Sequence, residues 1–97
     1  MSEKSINDKS IRMEPQSIDA EKAVLGSMLI SKDAVPRAMN ILIENSFYDL
    51  KHQIIYQNIV QLFEKNEVID SVSLIDSLKK NKHLQKVGGA YYITGLS

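Results

Sequence analysis

Between residues 17 and 97 the apolar positions recur at intervals of three and four. That spacing lines one face of a helix, and no useful length of the chain alternates as a strand would. Ser17 stands where a helix N-cap belongs, with Asp19 and Glu21 in the next turns to meet the free amides and the positive helix end. Ile18, Glu21, Leu25 and Met28 then fall on one line, beside Ala20, Val24 and Ser27. Gly26 interrupts this face at a cost of about 1 kcal/mol in helix propensity, which points to another backbone packed close against it. Asp33 is placed to cap a second helix. Pro36 lies in its first turn, where a missing amide does no harm, and Val35, Ala38, Met39 and Leu42 form its stripe.

Glu44-Asn45-Ser46 breaks that helix, and Phe47 and Tyr48 follow as a pair of aromatics expected to plug the core. The longest helix opens at Asp49 or Leu50. Its stripe is Ile55, Ile59, Leu62 and Phe63, flanked by Tyr56 and His52, and Asn66 is its stop. Val68-Ile69-Asp70 is an extended link ending in an N-cap. A short helix follows with Val72, Leu74, Ile75 and Leu78, closed by Lys79, Lys80 and Lys82, which suit the negative helix end. Leu84 and Val87 belong to the next loop. Gly88-Gly89 is a turn that returns Tyr92, with Ile93 and Leu96, to the core in a last helical pattern.

The expected class is all-α, with five or six helices over residues 17–97. Residues 1–16 carry scattered apolar positions without a period, and Pro15 disfavours a helix running through it; a mobile N-terminal arm is expected. The last apolar pattern is still running at Ser97, so the chain reads as a fragment of something longer.

Composition narrows the chemistry. At 97 residues there is room for one domain. Twelve basic residues balance twelve acidic ones, which argues against a dedicated grip on phosphate backbones. Cysteine is absent, which removes disulfides and thiolate metal sites and fits a cytoplasmic location. No apolar run approaches a membrane span, and the first residues lack an apolar signal core.

Candidate chemistry is sparse. No Gly-rich loop leads into Lys-Ser or Lys-Thr, and no Ser sits in a Gly-x-Ser-x-Gly elbow. His52 and His83 lack a partner at helical metal-pair spacing, so His52 reads as a partly buried packing residue. No catalytic, cofactor-binding or metal-binding residue is therefore expected. Lys79, Lys80, Lys82, His83 and Lys86 are the one concentration of positive charge. They read as a solvated helix terminus, with a small helix-turn-helix-like DNA-binding domain as the alternative.

Four segments in order resemble the N-terminal domain of DnaB-type replicative DNA helicases. Ser17-Ile18, Ala20-Glu21, Val24-Leu25-Gly26 and Leu29 match "S-I-x-A-E-x-x-V-L-G-x-x-L". Phe47-Tyr48, His52, Ile55-Tyr56 and Ile59 match "F-Y-x-x-x-H-x-x-I-Y/F-x-x-I". Ile69-Asp70 with Leu74, Leu78 and Leu84 resembles "P-I-D-x-x-T-L-x-x-x-L-x-x-x-x-x-L", with Val68 for Pro and Ser73 for Thr. Val87-Gly88-Gly89, Tyr92 and Leu96 resemble "V-G-G-x-x-Y-L-x-x-L", with Ile93 for Leu.

The resemblance implies a compact, orthogonal multi-helix bundle over residues 17–97 that serves as a collar domain. In the intact parent it would be followed by a hairpin, a linker and an ATP-hydrolysing motor using magnesium. Partners implied are the other subunits of a hexamer, primase and a helicase loader, with DNA contacted by the intact ring and no membrane. The family-motif residues Glu21, Leu25, Gly26, Phe47, Tyr48, His52, Asp70, Gly88, Gly89 and Tyr92 are implied to be determinants of the fold. The domain alone is expected to have no catalytic activity and to hold no cofactor.

Overall fold

The computed structural model describes residues 17–97, which form five α-helices and two 3-10 turns and contain no strand. The arm expected over residues 1–16 lies outside the described residues. The helices are α1 (Ile18–Ile30), α2 (Ala34–Ile41), α3 (Leu50–Glu64), α4 (Ser71–Lys80) and α5 (Gly89–Leu96). One 3-10 turn, Glu44–Ser46, joins α2 to α3, and the other, Gln85–Val87, joins α4 to α5.

α3 is the central element. It packs against α1, α2, α4 and both 3-10 turns, while α5 lies on α1, α4 and the second turn. Its inward face repeats as His52, Ile55, Tyr56, Asn58, Ile59 and Leu62, all buried, at intervals of three and four. Leu25, Met28 and Leu29 of α1, Val35 of α2, Leu74 and Leu78 of α4, and Ile93 of α5 close on that face. Phe47 fills the centre from the loop, its ring 5.1 Å from that of Tyr56.

Three apolar side chains expected inside are outside. Phe63 is 37% exposed and Val72 76% exposed. In each helix the inward direction is taken by a neighbour: Leu62 lies one residue (about 100°) from Phe63, and Leu74 lies two residues (about 200°) from Val72. Tyr48, the second aromatic expected to plug the core, is 54% exposed, because successive residues of the extended loop point opposite ways.

The helix ends follow the sequence signals in part. Asp70 caps α4, its Oδ1 accepting the Ser73 amide at 2.8 Å, and Asp49 caps α3 by accepting the Lys51 amide at 3.0 Å. Ser17 and Asp33 make no side-chain cap; Asp33 is itself helical, at φ −71° and ψ −21°, and so is turned away from capping geometry. Asn66 stops α3 at φ 58°, while the Glu67 amide bonds back to the Leu62 carbonyl. Lys82 makes the same left-handed stop after α4 at φ 62°, a role its sequence does not signal.

Candidate functional site

The chain's most unusual chemistry is a buried polar string through the bundle. Glu21 of α1 and His52 of α3 have no solvent exposure, although both types are ordinarily found at the surface or partly exposed. Glu21 Oε1 lies 2.7 Å from His52 Nδ1. Its Oε2 accepts the Tyr48 amide at 2.6 Å, and Oε1 also accepts the Asp49 amide at 3.3 Å. With both oxygens already accepting backbone donors, the carboxylate is the acceptor towards histidine and Nδ1 carries the proton. The other ring nitrogen, Nε2, lies 2.6 Å from the Tyr92 hydroxyl of α5. In the neutral ring Nε2 is the acceptor and Tyr92 donates.

Carboxylate, imidazole and hydroxyl in this order make up a nucleophile-activating relay in many enzymes. Here the hydroxyl is not activated. Burial first, and then the carboxylates of Asp49 and Glu21, push the Tyr92 phenol above its ordinary value of about 10, so it keeps its proton. Lys51 Nζ sits 4.3 Å and Lys22 Nζ 5.8 Å from the centre of the Tyr92 ring, capping the string with cation–π contacts. The string ties three helices and the loop before α3 into one unit. Cutting a buried hydrogen-bonded pair of this kind strands the remaining partner, at a typical cost of about 1–3 kcal/mol and more where that partner is a carboxylate.

The other motif residues fall around this string. Leu25 and Phe47 are buried beside it, and the Tyr48 backbone feeds it while its ring faces solvent. A Cβ built at Gly26 would collide with the Leu96 carbonyl, so only glycine lets α5 come this close to α1. Gly88 and Gly89 both adopt positive φ, 101° and 80°, and a Cβ at Gly88 would press to 2.9 Å from Tyr92 Cβ. Asp70 stands apart as the α4 cap. His52, read from the sequence as a packing residue, is instead the hinge pin of a hydrogen-bonded network.

A second hub went unnoticed in the sequence. Asn58 is 2% exposed; its Nδ2 donates to the Ile54 carbonyl at 2.9 Å. Its Oδ1 accepts from Ser77 Oγ and Asn81 Nδ2, each at 2.8 Å, pinning α4 to α3. The signal was present: Ile55, Asn58, Ile59 and Leu62 form an i, i+3, i+4, i+7 stripe with one polar member.

On the surface, Lys79, Lys80, Lys82 and Lys86 are exposed, and Lys80 pairs with Asp76 at 3.2 Å. A groove between α2 and α3 is lined by Met39, Leu42, Ile43, Tyr56 and Val60, and Ile41 and Ile43 are 80% and 65% exposed beside it. Among the described residues no cluster of three or more His, Asp or Glu could hold a metal ion, and no helix is long and apolar enough to cross a membrane.

Comparison with known proteins gives this architecture its relatives. Residues 13–97 match the family described as DnaB-like helicase N terminal domain. The chain is 38% identical over 93 residues to the replicative DNA helicase DnaB of Rhodothermus marinus, covering 96% of this chain and 10% of that protein. It is 36% identical over 86 residues to the replicative DNA helicase DnaC of Bacillus subtilis, covering 89% of this chain and 19% of that one. The chain thus spans a tenth to a fifth of the length of these relatives. The crystal structure of the N-terminal domain of DnaB helicase from Mycobacterium tuberculosis superposes with a TM-score of 0.82 at 37% identity, covering 87% of this chain and 58% of that one. These likenesses do not favour the helix-turn-helix alternative built on Lys79 to Lys86. With sequence and fold in agreement, the chain belongs to the DnaB-like helicase N-terminal domain family.

Proposed function

We propose that this domain is the non-catalytic collar part of a replicative DNA helicase, acting through protein contacts. It would help assemble the subunits of a hexameric ring and dock primase, and a helicase loader, at the replication fork in the cytoplasm. ATP and magnesium would belong to a separate motor domain of the intact enzyme, and DNA would be contacted by the assembled ring. The observation that carries this reading is the joint match of sequence and fold over nearly the whole described domain to domains of proteins named as replicative helicases.

Two properties of the chain support a protein-contact role. Its formal charge is balanced, where a phosphate-binding domain carries a basic surplus. Its buried carboxylate–imidazole–phenol string holds three helices together. The test is a calorimetric titration of the domain with primase from the same source, and in parallel with duplex DNA, at low and moderate salt. Saturable primase binding with no DNA binding supports the proposal. DNA binding that weakens steeply with salt, with no response to primase, would overturn it.

A further inference from the structure

We propose that the face formed by the end of α2 and the middle of α3 pairs with the same face of a second copy of this chain across a two-fold axis. This face carries both halves of a self-complementary contact. Val35, Ala38 and Leu42 turn one side of α2 into the bundle, so Ile41, one residue (about 100°) from Leu42, stands outside. Leu42 and Ile43 then run extended, at ψ 145° and 172°, and Ile43 turns to the side opposite Leu42. The two isoleucines are 80% and 65% exposed. Beside them lies the groove lined by Met39, Leu42, Tyr56 and Val60. An isologous contact requires an apolar projection next to an apolar hole, because each copy supplies what fills the other.

Charge selects the second copy as the occupant. Arg37 lies one turn before Ile41 on the same side of α2, and Glu44 follows Ile43 on the rim of the groove. Both are exposed, and among the described residues neither is in an ion pair. From residue 37 to residue 44 the face therefore runs from positive through apolar to negative. A two-fold axis near Ile41 reverses that order in the second copy and brings each guanidinium towards the other copy's carboxylate. The remaining rim residues, Gln57 and Gln61, are neutral and add no repulsion between copies.

The contact is small. The largest apolar patch on a monomer commonly measures about 300–600 Å², so two such faces bury roughly 600–1,200 Å² together. A stable interface takes about 1,200–2,000 Å². The pairing is therefore weak in isolation and effective where other contacts already hold copies side by side. A ring of subunits is such a setting, and for that setting the inference rests on the collar reading.

Analytical ultracentrifugation of the 97-residue chain from about 10 µM to about 1 mM tests the pairing. The wild type should pass from monomer towards dimer over this range. Ile41→Asp should weaken association by about tenfold or more, since each copy loses its projection. Val72→Asp, at an apolar residue 76% exposed on α4, should stay within about twofold of the wild type. Arg37→Glu and Glu44→Arg should each weaken association, and the double variant should recover it to within about twofold. Thermal midpoints confirm that these exposed substitutions leave the fold intact.

A wild type that stays monomeric at the highest concentration would overturn the proposal and leave the face to a different occupant. So would a loss in Val72→Asp equal to that in Ile41→Asp, or a double charge reversal weaker than either single one. The measurement needs no partner protein, so its outcome is separate from that of the primase titration. A monomeric chain that binds primase would sink the pairing alone, and a pairing chain that ignores primase would count against the collar reading alone.

Discussion

Glu21 and His52, thirty-one residues apart in sequence, meet at 2.7 Å with neither side chain reaching solvent. A carboxylate in such a place is tolerable because both of its oxygens accept from protein donors, one imidazole and two backbone amides. The pair should therefore behave as one energetic unit. Glu21→Gln and His52→Gln are each expected to lower stability by about 2–4 kcal/mol, and the double variant by clearly less than their sum. Urea denaturation of the four proteins in the cycle measures this. Additive losses would mean that the two residues act independently, contrary to the geometry.

The bundle itself was legible from apolar spacing, because a helix must turn one face inward and the residues at intervals of three and four record which face that is. The turns were legible where a residue type has a backbone reason to be there, as at Asp70, Asn66 and Gly88-Gly89. Less was visible of the polar interior. Glu21, His52 and Asn58 each stand on an apolar stripe, and that position is the trace they leave. Spacing along one helix cannot say which side chain of another helix will meet them. Lys82 shows the opposite failure: its left-handed conformation follows from the Schellman closure of α4, in which the His83 amide bonds to the Leu78 carbonyl, and its residue type gives no hint of it.

Two glycines of the same domain should respond in opposite directions to the same change. At Gly26 a methyl group would strike the Leu96 backbone carbonyl, and relief requires α5 to move. At Gly95, inside α5, nothing lies within 4 Å of the added carbon. Gly26→Ala should lower stability by about 1–3 kcal/mol, while Gly95→Ala should raise it by about 0.4–1 kcal/mol through helix propensity and a less flexible unfolded chain. Thermal midpoints moving the same way in both variants would contradict the close approach of α1 and α5.

The Asn58 hub makes its own prediction. Asn58→Ala removes the shared acceptor of Ser77 and Asn81 and leaves a small void between α3 and α4. Asn81 and Ser77 are exposed and half-buried, so water recovers part of the loss. A destabilisation of about 1–2 kcal/mol is expected in chemical denaturation. Ser77→Ala should cost less than Asn58→Ala, since it removes one donor and spares the acceptor and its other partner. A larger loss for Ser77→Ala would show that Asn58 is not the hub.

Alkaline pH should destabilise the fold through two tyrosines. The Tyr56 phenol is pushed up by burial and by Glu44, and Tyr92 by burial, Asp49 and Glu21. Both hydroxyls donate in the folded state, Tyr56 to the Leu42 carbonyl at 2.7 Å and Tyr92 to His52. The folded protein therefore holds these protons to higher pH than the unfolded chain, whose tyrosines ionise near about 10. Below that value both states are protonated and the stabilisation is fully present. As the pH rises further the unfolded state releases its protons first, binds fewer than the native state, and falls in free energy relative to it; the contribution is lost as the pH passes through the folded values. Unfolding free energy should accordingly fall above about pH 10. Tyr56→Phe and Tyr92→Phe should each be less stable than the wild type at pH 8, where a hydrogen bond is missing, and should approach it as the pH rises, because phenylalanine has no proton to lose. Urea midpoints of the three proteins from pH 8 to pH 11 decide the matter. Curves that stay parallel throughout would mean that the two phenols ionise alike in the folded and unfolded states, and their burial would then have no part in the alkaline limit of the fold.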